Sequence, residues 1–272
     1  MLNYEKLTLR NAGYVSAELQ ERIRDTRLLV AGCGIGSVFA EAAVRLGFER
    51  LLLVDGDTVD AHNLNRQDFT AADVGRSKVA ALAQRLRAIN PAVDILEVSA
   101  NLGENNTRQI VADADLVFDT VDFLDLSAIV RLHDECQRQG KPAITAIAVG
   151  WGAGVLYFPV GGEWSFRRLF RIAEGEAVEN GAYVAMFAPL MRRLADRLDP
   201  QVHEVVSAAL KTMEDGAPCP ASQVAPGAFA VGALAMTLVV RILAGLPVNQ
   251  APHLLIADLP TALTSPGIDL SR

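Results

Sequence analysis

Near its start the chain reads Arg27-Leu28-Leu29-Val30-Ala31-Gly32-Cys33-Gly34-Ile35-Gly36, an apolar run followed by a turn with three glycines. The apolar run predicts a buried strand, and the stretch from Ser37 to Leu46 predicts a helix that begins at the turn. Glycines between a strand and a helix let the backbone approach a phosphate, which the amides of the helix N-terminus favour. The spacing is not the dinucleotide fingerprint G-x-G-x-x-G, so the turn alone predicts either a phosphate site or an ordinary tight turn.

Apolar strands and helical patterns continue to alternate beyond this turn. The predicted strands are Leu51–Val54, Val93–Val98, Leu116–Phe118 and Ala143–Ala148, and the predicted helices are Ser77–Ile89, Glu104–Ala112 and Leu126–Gln139. Such alternation predicts an α/β fold, a Rossmann-like doubly wound sheet that is mostly parallel and has helices on both faces. Ligands of such sheets bind beyond the carboxyl ends of the strands.

The second half of the chain has a different pattern. It predicts strands at Val155–Phe158 and Leu254–Ile256, and helices at Tyr183–Leu198, Gln201–Glu214 and Gly227–Leu243. These elements form a helical and strand extension of the sheet. No repeat or clean linker interrupts the sequence, so we expect a single domain over residues 1–272, with a helical N-terminal arm (1–26) and a nucleotide-binding core (27–150).

Composition limits the class of protein. The net charge of −7 argues against a nucleic-acid partner, since phosphate-backbone binding needs a basic face. The apolar run from Gly227 to Val240 is expected to be too short for a membrane span, and the first residues lack a signal-peptide pattern, which favours a cytoplasmic protein. The cysteines Cys33, Cys136 and Cys219 are far apart and form no CxxC pair, so neither zinc nor a disulfide framework is expected.

The loop from Val54 to Gln67 concentrates carboxylates, amides and an arginine directly after the second strand. Asp55 ends that strand, where nucleotide-binding folds place the carboxylate that contacts ribose hydroxyls. NAD and ATP would both use this residue. Asp57 is expected to contact Mg²⁺ or ribose, with capping of a turn as the alternative.

Two cations and a further carboxylate favour chemistry at a phosphate. Hydride transfer needs no cations on a polyphosphate, whereas displacement at an α-phosphate develops charge that Arg66 and Lys78 would stabilise. The alternatives are a surface salt bridge for Arg66 and a solvated helix position for Lys78. Asp122 follows the strand that ends near Phe118 and would suit Mg²⁺; Asp119 and Asp125 compete for this role, and helix capping is the alternative for Asp122.

The order of these motifs resembles the ThiF/MoeB/HesA superfamily, the adenylation domains of ubiquitin-activating enzymes. The matching motifs are the glycine turn, Asp55-x-Asp57, Asn63-x-Asn65-Arg66-Gln67, Gly75-Arg76-Ser77-Lys78, Ile89-Asn90-Pro91 and Asp119-Thr120-Val121-Asp122. The resemblance is strong over about residues 10–150 and looser in the rest of the chain. It implies that residues 151–272 form the acceptor side and the dimerisation region.

The resemblance implies an ATP-dependent adenylyltransferase. Such enzymes use Mg²⁺ and ATP to activate a carboxylate, the C-terminal glycine of a ubiquitin-like or sulfur-carrier protein, as an acyl-adenylate with release of pyrophosphate. The implied nucleotide-binding residues are Gly32, Gly34, Gly36, Asp55, Asp57, Asn63, Arg66, Gln67 and Lys78. Asp122 is implied as the Mg²⁺ ligand. Members usually form homodimers, and Arg10 stands where an arginine reaches the partner's ATP site.

Three departures from the superfamily pattern are visible. The turn lacks one expected glycine, which is replaced by Cys33 or Ala31 depending on the register. Phe123 follows Asp122 where relatives commonly carry asparagine. The cysteine pairs that bind zinc in many relatives are missing, which places the chain in a zinc-free branch.

Cys219 precedes an apolar, glycine-rich helical stretch, as a cysteine does in sulfur-transferring relatives. By this resemblance it would attack or carry the activated acyl or sulfur group; the alternative is a loop cysteine with no chemistry. Cys33 and Cys136 are expected to pack rather than react.

Two other functions stay open at this point. One keeps the adenylation chemistry but changes the acceptor to a small-molecule or tRNA-linked carboxylate, although the acidic charge opposes tRNA. The other is a non-catalytic ATP- or NAD-binding module, which the altered glycine turn favours and which Arg66, Lys78 and Asp122 together oppose.

Overall fold

A seven-stranded sheet is the centre of the computed structural model, which describes residues 3–179, 182–194, 197–214 and 222–264. Its strands are β1 (Arg27–Ala31), β2 (Arg50–Val54), β3 (Asp94–Val98), β4 (Leu116–Asp119), β5 (Ala143–Val149), β6 (Gly152–Phe158) and β7 (Leu255–Ala257). The spatial order is β3-β2-β1-β4-β5-β6-β7. The first five strands are parallel, and β6 and β7 extend the sheet antiparallel to their neighbours.

Helices lie on both faces of this sheet. They are α1 (Tyr4–Thr8), α2 (Ala17–Asp25), α3 (Gly36–Leu46), α4 (Lys78–Ile89), α5 (Thr107–Ala112), α6 (Leu126–Gln139), α7 (Phe166–Phe170), α8 (Tyr183–Leu194), α9 (Pro200–Glu214), α10 (Ala225–Leu243) and α11 (Leu259–Thr264). Alternate residues of β1 enter different apolar clusters: Leu28 packs with residues of α3, α4 and α10, and Leu29 with residues of α5 and α6. The predicted doubly wound α/β fold is confirmed, because a strand buried on both faces requires such layers.

The strand β6 begins earlier than the sequence predicts. Its first residues are Gly152, Ala153 and Gly154, which have low strand propensity, yet the whole strand is buried and pairs along its length with β5. A Cβ at Gly152 would lie 2.1 Å from the carbonyl oxygen of Ala257, so glycine lets β7 approach this closely. The two halves of the chain therefore share one sheet.

The helix α10 is longer than the predicted apolar run. It begins at Ala225 and has 19 residues, so by length and composition it could cross a membrane, and the expectation of too short a run was wrong. The cause is local, because Pro226 in the first turn starts the helix ahead of Gly227. In this fold α10 packs on α3, and a Cβ at Gly232 would lie 2.8 Å from a methyl group of Val38.

The stacked pair Phe39 and Phe118 joins α3 to β4, and their ring centroids are 3.8 Å apart. Both side chains are fully buried. We expect Phe118→Ala to lower the free energy of unfolding by about 3–5 kcal/mol, because it leaves a cavity between sheet and helix. Urea denaturation measures this change. Phe229→Ala is the control: that ring is 53% exposed on α10, and an equal loss there would contradict the assignment of Phe118 to the core.

Candidate functional site

A cavity of about 740 Å³ opens at the carboxyl ends of β1, β2 and β4. The sequence-predicted residues that line it are Gly32, Gly34, Asp55, Asp57, Asn63, Arg66, Gln67, Lys78 and Asp122. Gly36 and Arg10 are not among the lining residues, and Cys219 lies outside the residues that the structure describes. The fold thus brings together side chains from three separate loops, because parallel strands end at the same edge.

The three glycines of the first turn are required for different structural reasons. Gly32 has φ 89°, a left-handed conformation that favours glycine, and a Cβ there would lie 2.3 Å from the Thr120 carbonyl oxygen. Gly36 begins α3, where a Cβ would lie 2.7 Å from Thr120 Oγ1. Close packing of the turn against the end of β4 therefore explains Gly32 and Gly36. Gly34 faces Gln67 across the cavity wall, with Gln67 Nε2 at 3.1 Å from the position of a Cβ.

Asp55 ties the glycine turn to the following loop. Its Oδ2 accepts a hydrogen bond from the Cys33 backbone amide at 2.7 Å, and its Oδ1 accepts one from the Asp57 amide at 2.8 Å. Burial raises the pKa of this carboxyl, and the nearby Lys78 ammonium opposes the shift. Asp55 is therefore held rigidly at the end of β2, where a ribose contact is expected.

Lys78 is a buried cation rather than a solvated helix residue. It is the first residue of α4, is 8% exposed, and its Nζ donates to Asp57 Oδ2 at 2.7 Å. The Asp57 side chain is 64% exposed, so the pair lies at the cavity surface. An anionic ligand that replaces Asp57 as the partner of Lys78 would free a well-hydrated carboxylate, which costs little.

Arg66 is held by hydrogen bonds and forms no ion pair among the described residues. Its Nε donates to Gln223 Oε1, and its Nη1 donates to the His62 carbonyl at 3.0 Å. Burial lowers the pKa of Arg66, and the charge of Asp122 opposes this effect. The alternative of a surface salt bridge is therefore wrong, because no described carboxylate lies within ion-pair distance of the guanidinium, and Asp122 acts on it only from farther away.

Gln223 is a site residue that the sequence analysis missed. It lines the cavity just before α10, and besides holding Arg66 it accepts a hydrogen bond through its backbone oxygen from Asn65 Nδ2 at 2.9 Å. These contacts join residues more than 150 positions apart in the chain. Nothing in the local sequence around Gln223 signals them.

The two buried amides of the loop differ in their bonding. Asn63 Oδ1 accepts from the Asp60 amide at 3.0 Å and shapes a short 3₁₀ turn. Gln67 is 8% exposed, and its Oε1 has no hydrogen-bond donor among the described residues. A buried acceptor without a donor is costly, so Gln67 is suited to accept a hydrogen bond from a ligand.

Of the three carboxylates that competed for a metal role, Asp122 is the most accessible, since it is exposed whereas Asp125 is half-buried and Asp119 is buried. Asp125 caps α6 by accepting from the Ala128 amide, and Asp119 is buried in a side-chain network. Asp122 uses only Oδ1, which accepts from the Leu124 amide at 3.0 Å. Helix capping, the alternative for Asp122, is thus performed by Asp125.

The network around Asp119 was also missed by the sequence analysis. Asp119 Oδ2 accepts from Thr145 Oγ1 at 3.0 Å, and His133 Nε2 lies 3.1 Å from Asp119 Oδ2 and 2.7 Å from Thr145 Oγ1. Asp119 and Thr145 line the cavity, whereas the buried His133 is not among its lining residues. Asp119 and Thr145 are neighbours because the register of β4 and β5 pairs them. This register is known only once the fold is known, so the sequence gives no sign of the contact.

Two of the three cysteines are expected to be unreactive in the native protein. Burial raises the pKa of Cys33 well above its ordinary value and that of Cys136 to about 12. A raised thiol pKa leaves almost no thiolate at neutral pH, and the thiolate is the nucleophile. Mass spectrometry after iodoacetamide treatment should show slow labelling of both in native protein and rapid labelling in urea; equally rapid native labelling would contradict their burial.

Arg10 lies on an exposed 3₁₀ turn (Leu9–Asn11) in the N-terminal arm. It is not part of the lining of its own chain's cavity. Its contribution to a partner's site stays a prediction, as do the roles of Cys219.

Comparison with known proteins shows the family. The ThiF family matches residues 8–267. The adenylyltransferase and sulfurtransferase MOCS3 of Xenopus laevis is 34% identical over 134 residues, which are 48% of this chain and 29% of that protein. The sulfur carrier protein ThiS adenylyltransferase of Escherichia coli K12 is 31% identical over 144 residues, 52% of this chain and 57% of that protein.

The matched segments span 29% and 57% of the length of these two relatives, less than two thirds of each. Among solved structures, PaaA superposes with a TM-score of 0.63 at 20% identity, over 94% of this chain and 78% of PaaA, which shows the same fold. The family match covers nearly the whole chain, and it agrees with the residues gathered at the cavity. The chain therefore belongs to the ThiF family.

Proposed function

We propose that this protein is an ATP-dependent adenylyltransferase that activates a carboxylate, the C-terminal glycine of a ubiquitin-like or sulfur-carrier protein. The observation that carries the proposal is that Lys78, Arg66 and Asp122 line the same cavity as the carboxylate Asp55. A nucleotide-binding module without catalysis would need Asp55 for ribose, but it would not need the buried Lys78 and the half-buried Arg66 beside a further carboxylate.

The proposed reaction is a displacement at the α-phosphorus of ATP. An oxygen of the acceptor carboxylate forms a bond to the α-phosphorus, and the bond to the bridging oxygen of pyrophosphate breaks with both electrons leaving on pyrophosphate. Charge builds on the phosphate oxygens in the transition state, where fixed cations stabilise it. Lys78 and Arg66 supply these cations, and Asp55 orients the nucleotide through its ribose.

The donor set also fits Mg²⁺. This ion binds proteins through one or two carboxylates and completes its shell with water and substrate phosphates. Asp122 offers such a single carboxylate, and among the described residues no group of three His, Cys, Asp or Glu side chains forms a cage of its own. When bound, the ion would neutralise phosphate charge and orient the leaving pyrophosphate.

The identity of the acceptor is supported by the relatives. The bacterial relative is named for its action on a sulfur-carrier protein, and the frog relative combines adenylyl transfer with sulfur transfer. We extend the proposal to a homodimer in the cytoplasm in which Arg10 completes the partner's site, and to Cys219 as a thiol that receives the activated group.

Isotope exchange between pyrophosphate and ATP tests the proposal directly. Exchange should require the protein, Mg²⁺ and an acceptor with a free C-terminal glycine, and it should stop when that carboxylate is amidated. Arg66→Ala should lower the exchange rate by about a hundredfold, because it removes a fixed cation from the developing charge.

Exchange assays with different acceptors distinguish the two other functions that the sequence left open. Exchange that is supported by a small carboxylic acid or by tRNA would change the acceptor and keep the chemistry. Failure of every carboxylate, together with unchanged ATP binding by Arg66→Ala in calorimetry, would overturn adenylation.

A further inference from the structure

A second groove of about 1270 Å³ lies beside the cavity, between α7, α8 and the segment that holds β7 and α11. Leu190 of α8 and Leu254 just before β7 line both the groove and the cavity. The groove therefore adjoins the proposed adenylation site on the side of the sheet extension. A ligand in the groove would lie next to the place where the acceptor carboxylate must react.

Arginines dominate the polar lining of this groove. They are Arg168, Arg171, Arg193 and Arg197, and all four are exposed. Arg168 pairs with Glu163 and covers the ring of Trp164, whereas the other three form no ion pair with any described residue. The whole chain carries a net charge of −7, so this local positive charge is opposite in sign to the charge of the chain as a whole. Such a patch is an attractive site for an acidic partner.

The remaining lining favours a polypeptide over a polyphosphate chain. Leu169, Leu194 and Ile256 give the groove apolar walls, and the carboxylate of Asp258 also lines it. A nucleic-acid backbone gains nothing from apolar walls, because it presents charged phosphates along its whole length. A peptide with alternating acidic and apolar side chains can pair with the arginines and pack against the apolar walls.

The last strand adds a place for peptide backbone. β7 pairs with β6 and with no other strand among the described residues, and Ile256 and Ala257 of β7 line the groove. The outer edge of such a strand presents unpaired amides and carbonyls, which an extended peptide can bind by strand addition.

We propose that the groove binds an extended acidic segment of the acceptor polypeptide and so guides its C-terminus into the cavity. This proposal rests on the proposed function for its choice of partner. The arginines select acidic side chains, the apolar walls select alternate residues, and the junction at Leu190 and Leu254 connects the bound segment to the reacting end.

Fluorescence anisotropy with the full chain tests the groove without ATP. The probe is a fluorescein-labelled peptide of alternating glutamate and leucine that ends in Gly-Gly, and the control peptide carries lysine for glutamate. The acidic probe should bind and the basic one should not. Arg193→Glu with Arg197→Glu should weaken binding by about tenfold or more, because each exposed charge pair contributes a few-fold and reversal adds repulsion.

Arg192→Glu is the matched control for the single variant Arg193→Glu, since both residues are exposed on α8 and Arg192 does not line the groove. Arg193→Glu should weaken binding, Arg192→Glu should not, and Arg193→Lys should restore most of it. Equal effects of the two reversals would overturn the proposal, because they would report net charge alone. Displacement of the peptide by tRNA or by pyrophosphate, at concentrations similar to that of the peptide, would also overturn the proposal.

The outcome separates this proposal from adenylation itself. Peptide binding that depends on Arg193, without any pyrophosphate exchange, would support the groove and contradict the proposed function. Exchange with an unchanged KM for the acceptor in Arg193→Glu would support the proposed function and contradict the groove.

Discussion

Replacement of Lys78 by methionine is expected to lower the rate of ATP–pyrophosphate exchange by about a hundred- to a thousandfold. The ammonium of Lys78 is fixed at the start of α4, where it is 8% exposed and bonded to Asp57 at 2.7 Å. A cation with this little freedom needs no reorganisation when charge develops on the phosphate, so its removal should affect kcat more than the binding of ATP. Methionine keeps the apolar stem and removes only the charge.

The fold should survive this substitution. The charge that loses its partner is Asp57, whose side chain is 64% exposed and hydrated, so the cost to the free energy of unfolding should stay within about 1 kcal/mol. Urea denaturation checks this point. Lys211→Met on α9 is the matched control, since Lys211 is exposed and does not line the cavity. If Lys78→Met exchanged label as fast as wild type, Lys78 would have only its structural role in the pair with Asp57.

The location of the site could be predicted from the sequence because it depends on chain order alone. Once β1, β2 and β4 are recognised as parallel strands, the loops that follow them must meet at one edge of the sheet. Asp55, Lys78 and Asp122 are therefore neighbours by topology, and the structure brings all three to one cavity. The same reasoning predicted the layers of helices on both faces.

Contacts between distant segments could not be predicted in this way. Gln223 holds Arg66 from just before α10, and His133 of α6 contacts Asp119 of β4 and Thr145 just beyond it on β5. Each pairing depends on side-chain packing between elements, which no local pattern encodes. The pair of Lys78 and Asp57 could be predicted in part. The sequence identified both charged residues as members of the site, but it did not predict the hydrogen bond between them.

The early start of β6 was missed for a related reason. Its glycine-rich beginning has low strand propensity, and tertiary contact with β7 overrides this preference. The length of α10 was underestimated because residues before Gly227 belong to its first turn.

Asp122→Asn is expected to raise the Mg²⁺ concentration needed for half-maximal exchange and to lower the maximal rate by about a hundredfold, since the lost metal contact stabilises several kcal/mol of transition-state charge. Asparagine can still accept the hydrogen bond from the Leu124 amide that Asp122 Oδ1 accepts at 3.0 Å. The loop should therefore keep its shape while the carboxylate charge is lost. A titration of exchange rate against Mg²⁺ at saturating ATP measures both effects.

Asp125→Asn separates the metal role from a general change in charge. Asp125 lies three residues further along the chain and also lines the cavity, but its side chain caps α6, a task that asparagine performs equally well. The two variants have the same net charge, so a shift in Mg²⁺ dependence in Asp122→Asn alone identifies the ligand. Equal shifts in both variants would contradict direct coordination by Asp122. They would mean that the total negative charge of the cavity attracts Mg²⁺.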